Sequence, residues 1–202
     1  MEPALGPEDR KRIEESIRQK YARVSENPEG FFTYPTGQAG LEALRYDPEI
    51  IQRLPETVLA SYCGVGNPFS LGPISEGEAV LDIGCGGGVD TLIAAFMVGP
   101  AGKAVGIDRV PEMLERAENN VQETTLANVT LRDASPELLP FPDGSFDVII
   151  SNGVFNLIPD KSKALREAFR VLKPNGRLMI ADEVLTGKLQ EDPEKRVESW
   201  FR

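Results

Sequence analysis

The sequence predicts an α/β protein built on a doubly wound, mostly parallel sheet with helices on both faces. Three observations carry that prediction. Between residues 79 and 181, short apolar runs alternate with amphipathic runs of helical period. Glycine or proline marks the switches. The first apolar run ends in the cluster Gly84, Gly86, Gly87 and Gly88. Strands that alternate with helices pair in parallel through crossover connections.

From Glu8 to about Asn27, Ile13, Ile17, Tyr21 and Val24 fall on one helical face among charges. Residues 28–47 are rich in glycine and proline and read as a loop with a short helix near Leu41–Leu44. Asp47 followed by Pro48 is an N-cap with proline at the first helical position, opening a helix to Leu54. Ala79–Ile83 is the first strand, and Val89–Val98 is a helix ended by Gly99-Pro100. Lys103–Ile107 is the second strand, Pro111–Thr124 the second helix and Val129–Leu131 the third strand. Phe146–Ser151 is a fourth strand buried on both faces. Lys161–Leu172 is amphipathic through Ala164, Leu165, Ala168, Phe169 and Leu172, with Asn175-Gly176 as its stop. Arg177–Ala181 is the fifth strand, and Pro193–Phe201 begins another helix. The partition is an N-terminal helical extension, residues 1–74, and a sheet domain, residues 75–202.

Composition removes several function classes. The chain has 22 basic and 32 acidic residues, a net charge of −10, which disfavours nucleic acid and anionic membrane surfaces. It has no histidine, which excludes histidine bases, Ser-His-Asp triads and histidine-ligated zinc. Cys63 and Cys85 are too few for a disulfide framework or a four-thiolate metal site. The opening residues lack a signal-peptide core, and the apolar stretch Leu92–Val98 is too short to span a bilayer. The expectation is a soluble, cytoplasmic protein without a metal.

The loop after the first strand reads Asp82-x-Gly84-x-Gly86-x-Gly88, followed by Val89 and Asp90. The dinucleotide fingerprint needs glycine where Val89 stands, and a pyrophosphate would be repelled by Asp82. This pattern resembles motif I of the class I S-adenosylmethionine-dependent methyltransferases, whose donor carries a sulfonium and an ammonium that a carboxylate favours. Asp108, ending the second strand 22 residues past Gly86, is placed to accept hydrogen bonds from a ribose diol. The resemblance implies a Rossmann-like fold and S-adenosylmethionine as cofactor. It also implies that Met113 packs on the adenine, that Asp133 takes the adenine amino hydrogens and that the Ala134 N–H reaches the ring. The Leu139-Pro-Phe-Pro-Asp-Gly turn and the Leu172-Lys-Pro-Asn-Gly corner match the family in the same order.

Two further segments narrow the resemblance. Arg45-Tyr-Asp-Pro-Glu-Ile-Ile-Gln-Arg-Leu-Pro-Glu, leading into Cys63-Gly-Val-Gly-Asn-Pro-Phe, and Ile150-Ser-Asn-Gly-Val-Phe-Asn-Leu-Ile-Pro-Asp-Lys look like segments of the arsenite methyltransferases. In that family they carry cysteines that hold arsenic as soft ligands. Here the corresponding positions are Val65 and Gly153, and Cys63 stands two residues out of register. A further cysteine of the family falls just past Trp200, where this chain ends. The expectation is an altered acceptor, either a small molecule or a metalloid.

In-line methyl transfer needs positioning more than covalent catalysis. Asn152, Asn156, Tyr62 and Cys63 are the acceptor-pocket candidates, with Asn152 favoured as a pocket-lining polar group and no base named. The 20 residues after Asp182 leave the family's usual final strands unaccounted for, so an incomplete sheet and acceptor site are expected. The extension, with Phe31–Tyr34 and Tyr62–Pro68, is expected to close over the donor. A donor-binding homologue without catalysis and a nicotinamide-dependent oxidoreductase are the alternatives.

Overall fold

The computed structural model describes residues 6–184 and 186. The helix expected at Pro193–Phe201, and the region around Trp200, lie outside the described residues.

Helix α1 (Pro7–Val24) opens on proline with Glu8 and Asp9 in its first turn, where acidic side chains offset the helix dipole. It buries Ile13 and Val24 completely or nearly so and half-buries Ile17 and Tyr21, the face the spacing predicts. It stops at Val24, short of Asn27, because the residue before Pro28 is held out of the helical region. Three short helices follow: α2 (Gly37–Ala43), α3 (Pro48–Ile51) and α4 (Glu56–Leu59). Helix α2 starts earlier than expected, and the chain leaves it through Arg45 at φ 59°. Asp47 caps α3 as predicted, accepting the Glu49 N–H at 2.9 Å, but the helix ends at Ile51. Helix α4 and a 3₁₀ turn at Pro68–Leu71 are too short for periodicity to reveal. Leu41, Tyr46, Ile51, Leu54, Val58, Leu59 and Tyr62 pack with Val89, Leu92 and Ile93, so the extension shares a core with the sheet domain.

The sheet domain comprises β1 (Ala79–Ile83), α5 (Val89–Val98), β2 (Lys103–Asp108), α6 (Pro111–Gln122), β3 (Val129–Asp133), β4 (Phe146–Asn152), α7 (Lys161–Val171) and β5 (Leu172–Ala181). The strand order is β3-β2-β1-β4-β5, and every pairing is parallel. Alternate residues of each strand face opposite sides. Val80, Val148, Ile150 and Met179 meet Ala94, Ala95 and Val98 of α5 on one side. Leu81, Ile83, Ile107 and Ile149 meet Ala164, Ala168 and Val171 of α7 on the other.

Two expectations need correction here. The buried stripe of α7 is Ala164-Ala168-Val171, whose small residues allow close approach, while Leu165 and Phe169 lie around the helix and are 42% and 81% exposed. The helix does not run to Asn175-Gly176. Leu172 already pairs with Phe146, Arg177 pairs with Val148, and residues 173–176 bulge out between them. Pro174 forces Lys173 out of the helical region and Asn175 takes φ 65°, so the corner lies within β5. Among the described residues no helix is long and apolar enough to cross a membrane.

The chain runs outward from β1 to β2 and β3, then returns to β4 on the opposite side. That reversal leaves a crevice above the carboxyl ends of β1 and β4, where ligands bind in open α/β sheets.

Candidate active site

The crevice opens into a cleft of about 1610 Å³, larger than the roughly 300–1,000 Å³ of a single small-ligand pocket. Its walls include α1, residues 31–34 and residues 61–65 from the extension. Asp82, Gly84, Gly86, Asp90, Asp108, Met113, Asp133, Ala134, Asn152, Asn156, Tyr62 and Cys63 all line it. Gly88 does not; it caps α5 at φ 80° and packs on Ala117.

The glycine loop turns because Gly84 holds φ 72° and lies so close to Val154 that a Cβ would collide with it. The Gly84 and Cys85 N–H groups both donate to the Ile107 carbonyl, at 2.8 and 2.9 Å, which folds the loop over β2. At Gly86 a Cβ would meet only the Met113 sulfur at 3.9 Å, so backbone here faces open cleft. Asn120 donates to the Gly87 carbonyl at 2.7 Å and to Ser61 Oγ at 2.8 Å, tying the loop to the end of α4. Sequence reading missed Asn120, although a polar residue on the buried Met113-Ala117 face of α6 was the available signal.

Three carboxylates form the floor. Asp82 is buried and accepts the Thr91 hydroxyl at 2.6 Å. Asp90 is buried and accepts the Tyr46 hydroxyl at 2.9 Å and the Asn152 amide at 2.9 Å. Asp108 accepts the Gly86 and Val110 N–H groups, each at 2.9 Å. Burial pushes all three upward, Asp90 to about 6, and Asp90 and Asp108 further raise Asp82. Among the described residues none of the three has a lysine or arginine ion-pair partner. A cationic ligand fits such a floor, since opposite charge is what desolvated carboxylates lack.

Several predicted residues turn out to be committed elsewhere. The Ala134 N–H donates to the Asp108 carbonyl at 3.2 Å and so is already spent. Asn152 is not a free polar group of the pocket. Its Oδ1 accepts the Val65 and Gly66 N–H groups at 2.9 and 3.0 Å, and its amide nitrogen donates to Gly66 O at 2.7 Å as well as to Asp90. A Cβ on Gly64 would collide with that amide. The Tyr62 hydroxyl is engaged with Gly66 O at 2.9 Å. Asn156 donates its backbone N–H to Asp182 at 3.1 Å, while its Oδ1 is buried and has no hydrogen-bond partner among the described residues. Cys63 packs beside Val24, Val110 and Met113, and burial together with Asp108 pushes its thiol up to about 12, which keeps it protonated at neutral pH. Met113 is nearly fully buried, in contact with that cluster and with the cleft at once. Val65 and Gly153 meet: a Cβ on Gly153 would lie 3.2 Å from Val65 Cγ1.

Glycine loop, acidic floor and sheet order together define a nucleoside-binding α/β domain open to a cationic ligand. Residues 74–202 match the family described as methyltransferase domain, and the chain belongs to it. It is a class I S-adenosylmethionine-dependent methyltransferase domain with S-adenosylmethionine as its cofactor, which sets aside the nicotinamide alternative. The chain is 33% identical over 205 residues to an arsenite methyltransferase of Halobacterium salinarum, covering 95% of this chain and 52% of that protein. It is 39% identical over 110 residues to a demethylmenaquinone methyltransferase of Geobacillus sp., covering 54% of this chain and 47% of that one. Among solved structures, an arsenic (III) S-adenosylmethionine methyltransferase from Chlamydomonas reinhardtii superposes with a TM-score of 0.58 at 33% identity, covering 75% of this chain and 51% of that one. The chain thus spans about half the length of these relatives.

Proposed function

We propose that the protein transfers a methyl group from S-adenosylmethionine to a small-molecule acceptor other than arsenite, in the cytoplasm. The observation that carries this reading is the meeting of Val65 with Gly153. They occupy the positions where the resembling family has thiolates, and they offer a soft cation no ligand. Cys63, protonated and packed, does not replace them. Likeness to a demethylmenaquinone methyltransferase over half the chain supports a phenolic or quinol acceptor as a second arm.

Asp82, Asp90 and Asp108, with the Gly84–Gly86 backbone, Met113 and Asp133, are the residues assigned to the donor. Bound there, S-adenosylmethionine supplies an electrophilic methyl on a sulfonium. An acceptor lone pair in line with that methyl would take it as the methyl–sulfur bond breaks, with S-adenosylhomocysteine as the leaving group and the acceptor's proton going to solvent. Val65 and Val154 give the acceptor side an apolar wall. No side chain is assigned as base.

A radiolabelled methyl-transfer screen with arsenite, thiols, phenols and hydroquinones tests the reading. Transfer to an organic acceptor with arsenite at background is the expected outcome. Arsenite turnover at enzymatic rates defeats the cysteine argument, and donor binding without transfer to any acceptor favours the non-catalytic alternative.

Helix α1 is assigned the role of lid. Arg10 reaches Glu137 and Asp160 at 3.7 and 3.9 Å, while Glu14 and Arg18 reach Arg109 and Glu112 at 3.2 and 3.9 Å, so the helix bridges both lips of the cleft. Exposed pairs of this kind contribute roughly 0–1 kcal/mol each, leaving Ile13 and Val24 as the main anchors. Phe32 stacks on Tyr34 at 5.1 Å and lines the same wall, an aromatic face suited to a cation. Deleting residues 1–35, which spares α2, is expected to weaken donor binding and expose the cleft to protease. A folded deletion variant that binds as tightly as the parent makes the segment scaffold.

A further inference from the structure

One buried group has no task in the assignment above. Tyr46 belongs to the N-terminal segment and is 4% exposed, yet its hydroxyl donates to Asp90 Oδ1 at 2.9 Å across 44 residues of sequence. The other Asp90 oxygen takes the Asn152 amide, and Asn152 Oδ1 holds the Val65 and Gly66 N–H groups. The Tyr62 hydroxyl lies 3.0 Å from the Tyr46 hydroxyl and 2.9 Å from Gly66 O. These bonds join the first turn of α5, the end of β4 and the turn that carries Val65.

Such a network is an expensive way to hold a fold. A desolvated carboxylate disfavours its own ionisation, and apolar residues of similar shape often serve stability as well or better. Asp90 sits instead where its charge counts toward a ligand: it lines the cleft, and the positive end of α5 favours its ionised form. The titratable groups facing it are Asp82 from β1, with Asp108 beyond it, and Tyr46, Tyr62 and Cys63 from the N-terminal segment. None of these is a cation. The hydroxyl of Tyr46 and the amide of Asn152 are the donors available to stabilise the charge.

We propose that Tyr46 is a positioning residue of the donor site: with Asn152 it fixes the Asp90 carboxylate as the charge that attracts the cationic methyl donor, so the N-terminal segment sets donor affinity from outside the methyltransferase domain. This rests on the reading of the cleft as the S-adenosylmethionine site.

The test is the pH dependence of S-adenosylmethionine binding, measured by calorimetry on the full chain between pH 5 and 8. The parent should lose affinity on acidification, with a limb at or below the value of about 6 that Asp90 has in the free protein. Tyr46→Phe keeps the edge-on ring contacts with Tyr62 at 5.5 Å and Phe69 at 5.9 Å, so the fold is expected to survive. Losing the hydroxyl should move the limb upward by about one pH unit, the scale of one hydrogen bond to a charged group. Asp90→Asn should flatten it. A purely structural role lowers affinity equally at every pH. The proposal is overturned if folded Tyr46→Phe titrates in step with the parent, or if Asp90→Asn retains the limb. Should Tyr46→Phe not fold, 3-fluorotyrosine at position 46, whose hydroxyl is a stronger donor, should move the limb downward, and an unmoved limb overturns the proposal. A parent that binds no donor at any pH overturns the donor-site reading itself, a result distinct from parallel profiles.

Discussion

Replacing Asp108 with alanine is expected to raise the dissociation constant for S-adenosylmethionine roughly 10- to 150-fold, the equivalent of about 1.5–3 kcal/mol for hydrogen bonds to a charged group. The carboxylate closes β2 and lines the cleft, where a ribose diol would find it. Its two oxygens also hold the Gly86 and Val110 N–H groups, so alanine leaves two backbone donors without their acceptor. Part of the loss will therefore come from a looser glycine loop. Asp108→Asn keeps one acceptor oxygen and should fall between parent and alanine. Calorimetry gives the affinities, and a melting curve shows whether the variant is folded. A folded Asp108→Ala with an unchanged dissociation constant means the ribose is not read at this residue.

The ligand-free protein should gain stability as pH falls from 7 toward 5, the reverse of the usual behaviour of carboxylate-rich proteins. Asp90 lies at about 6 in the folded chain against 3.8 for an unperturbed aspartate, and Asp82 and Asp108 are raised too. Between those values the native state binds more protons than the unfolded one, so stability falls as pH rises. For Asp90 the gain between pH 7 and 5 is on the order of 1 kcal/mol, or roughly 2–5 °C in melting temperature for a chain of this length. The ion-paired Glu78, Asp147 and Glu167 are shifted downward, so their contribution is lost only at more acid pH and does not oppose the trend. Saturating S-adenosylmethionine should shrink the difference by supplying the missing positive charge. A ligand-free melting temperature that is flat or falling from pH 7 to 5.5 defeats this account.

The sheet domain was legible because its punctuation is local. The Gly84–Gly88 cluster and Gly99-Pro100 mark both ends of α5, and the sequence places β1 and α5 at the observed limits. Where the signal is longer than one turn of structure, reading was less sure. The corner at Lys173–Gly176 looks like a helix stop, yet its pairing is decided by Phe146 and Val148 on another strand. The cleft residues were found because glycines and acids cluster at strand ends. What they do was hidden. Asn152 reads as a polar group at the edge of a pocket, and only the fold reveals partners 62 to 106 residues away. Tyr46 stands beside the Asp47-Pro48 cap, a signal that explains a helix start and gave no sign of a bond to Asp90.

The distance over which Asn152 works also sets an order of events during synthesis. The N-terminal helices leave the ribosome first, but the amide that fastens Tyr46, Tyr62 and the Val65 turn is encoded 86 to 106 residues later. Closing loops of that length has an entropic cost that local helix contacts cannot meet in advance. The nascent chain must therefore carry its first helices unfastened until β4 has emerged and docked beside β1. Until then Leu41, Tyr46 and Tyr62, buried in the finished protein, have only the Val89, Leu92 and Ile93 face of α5 to pack on.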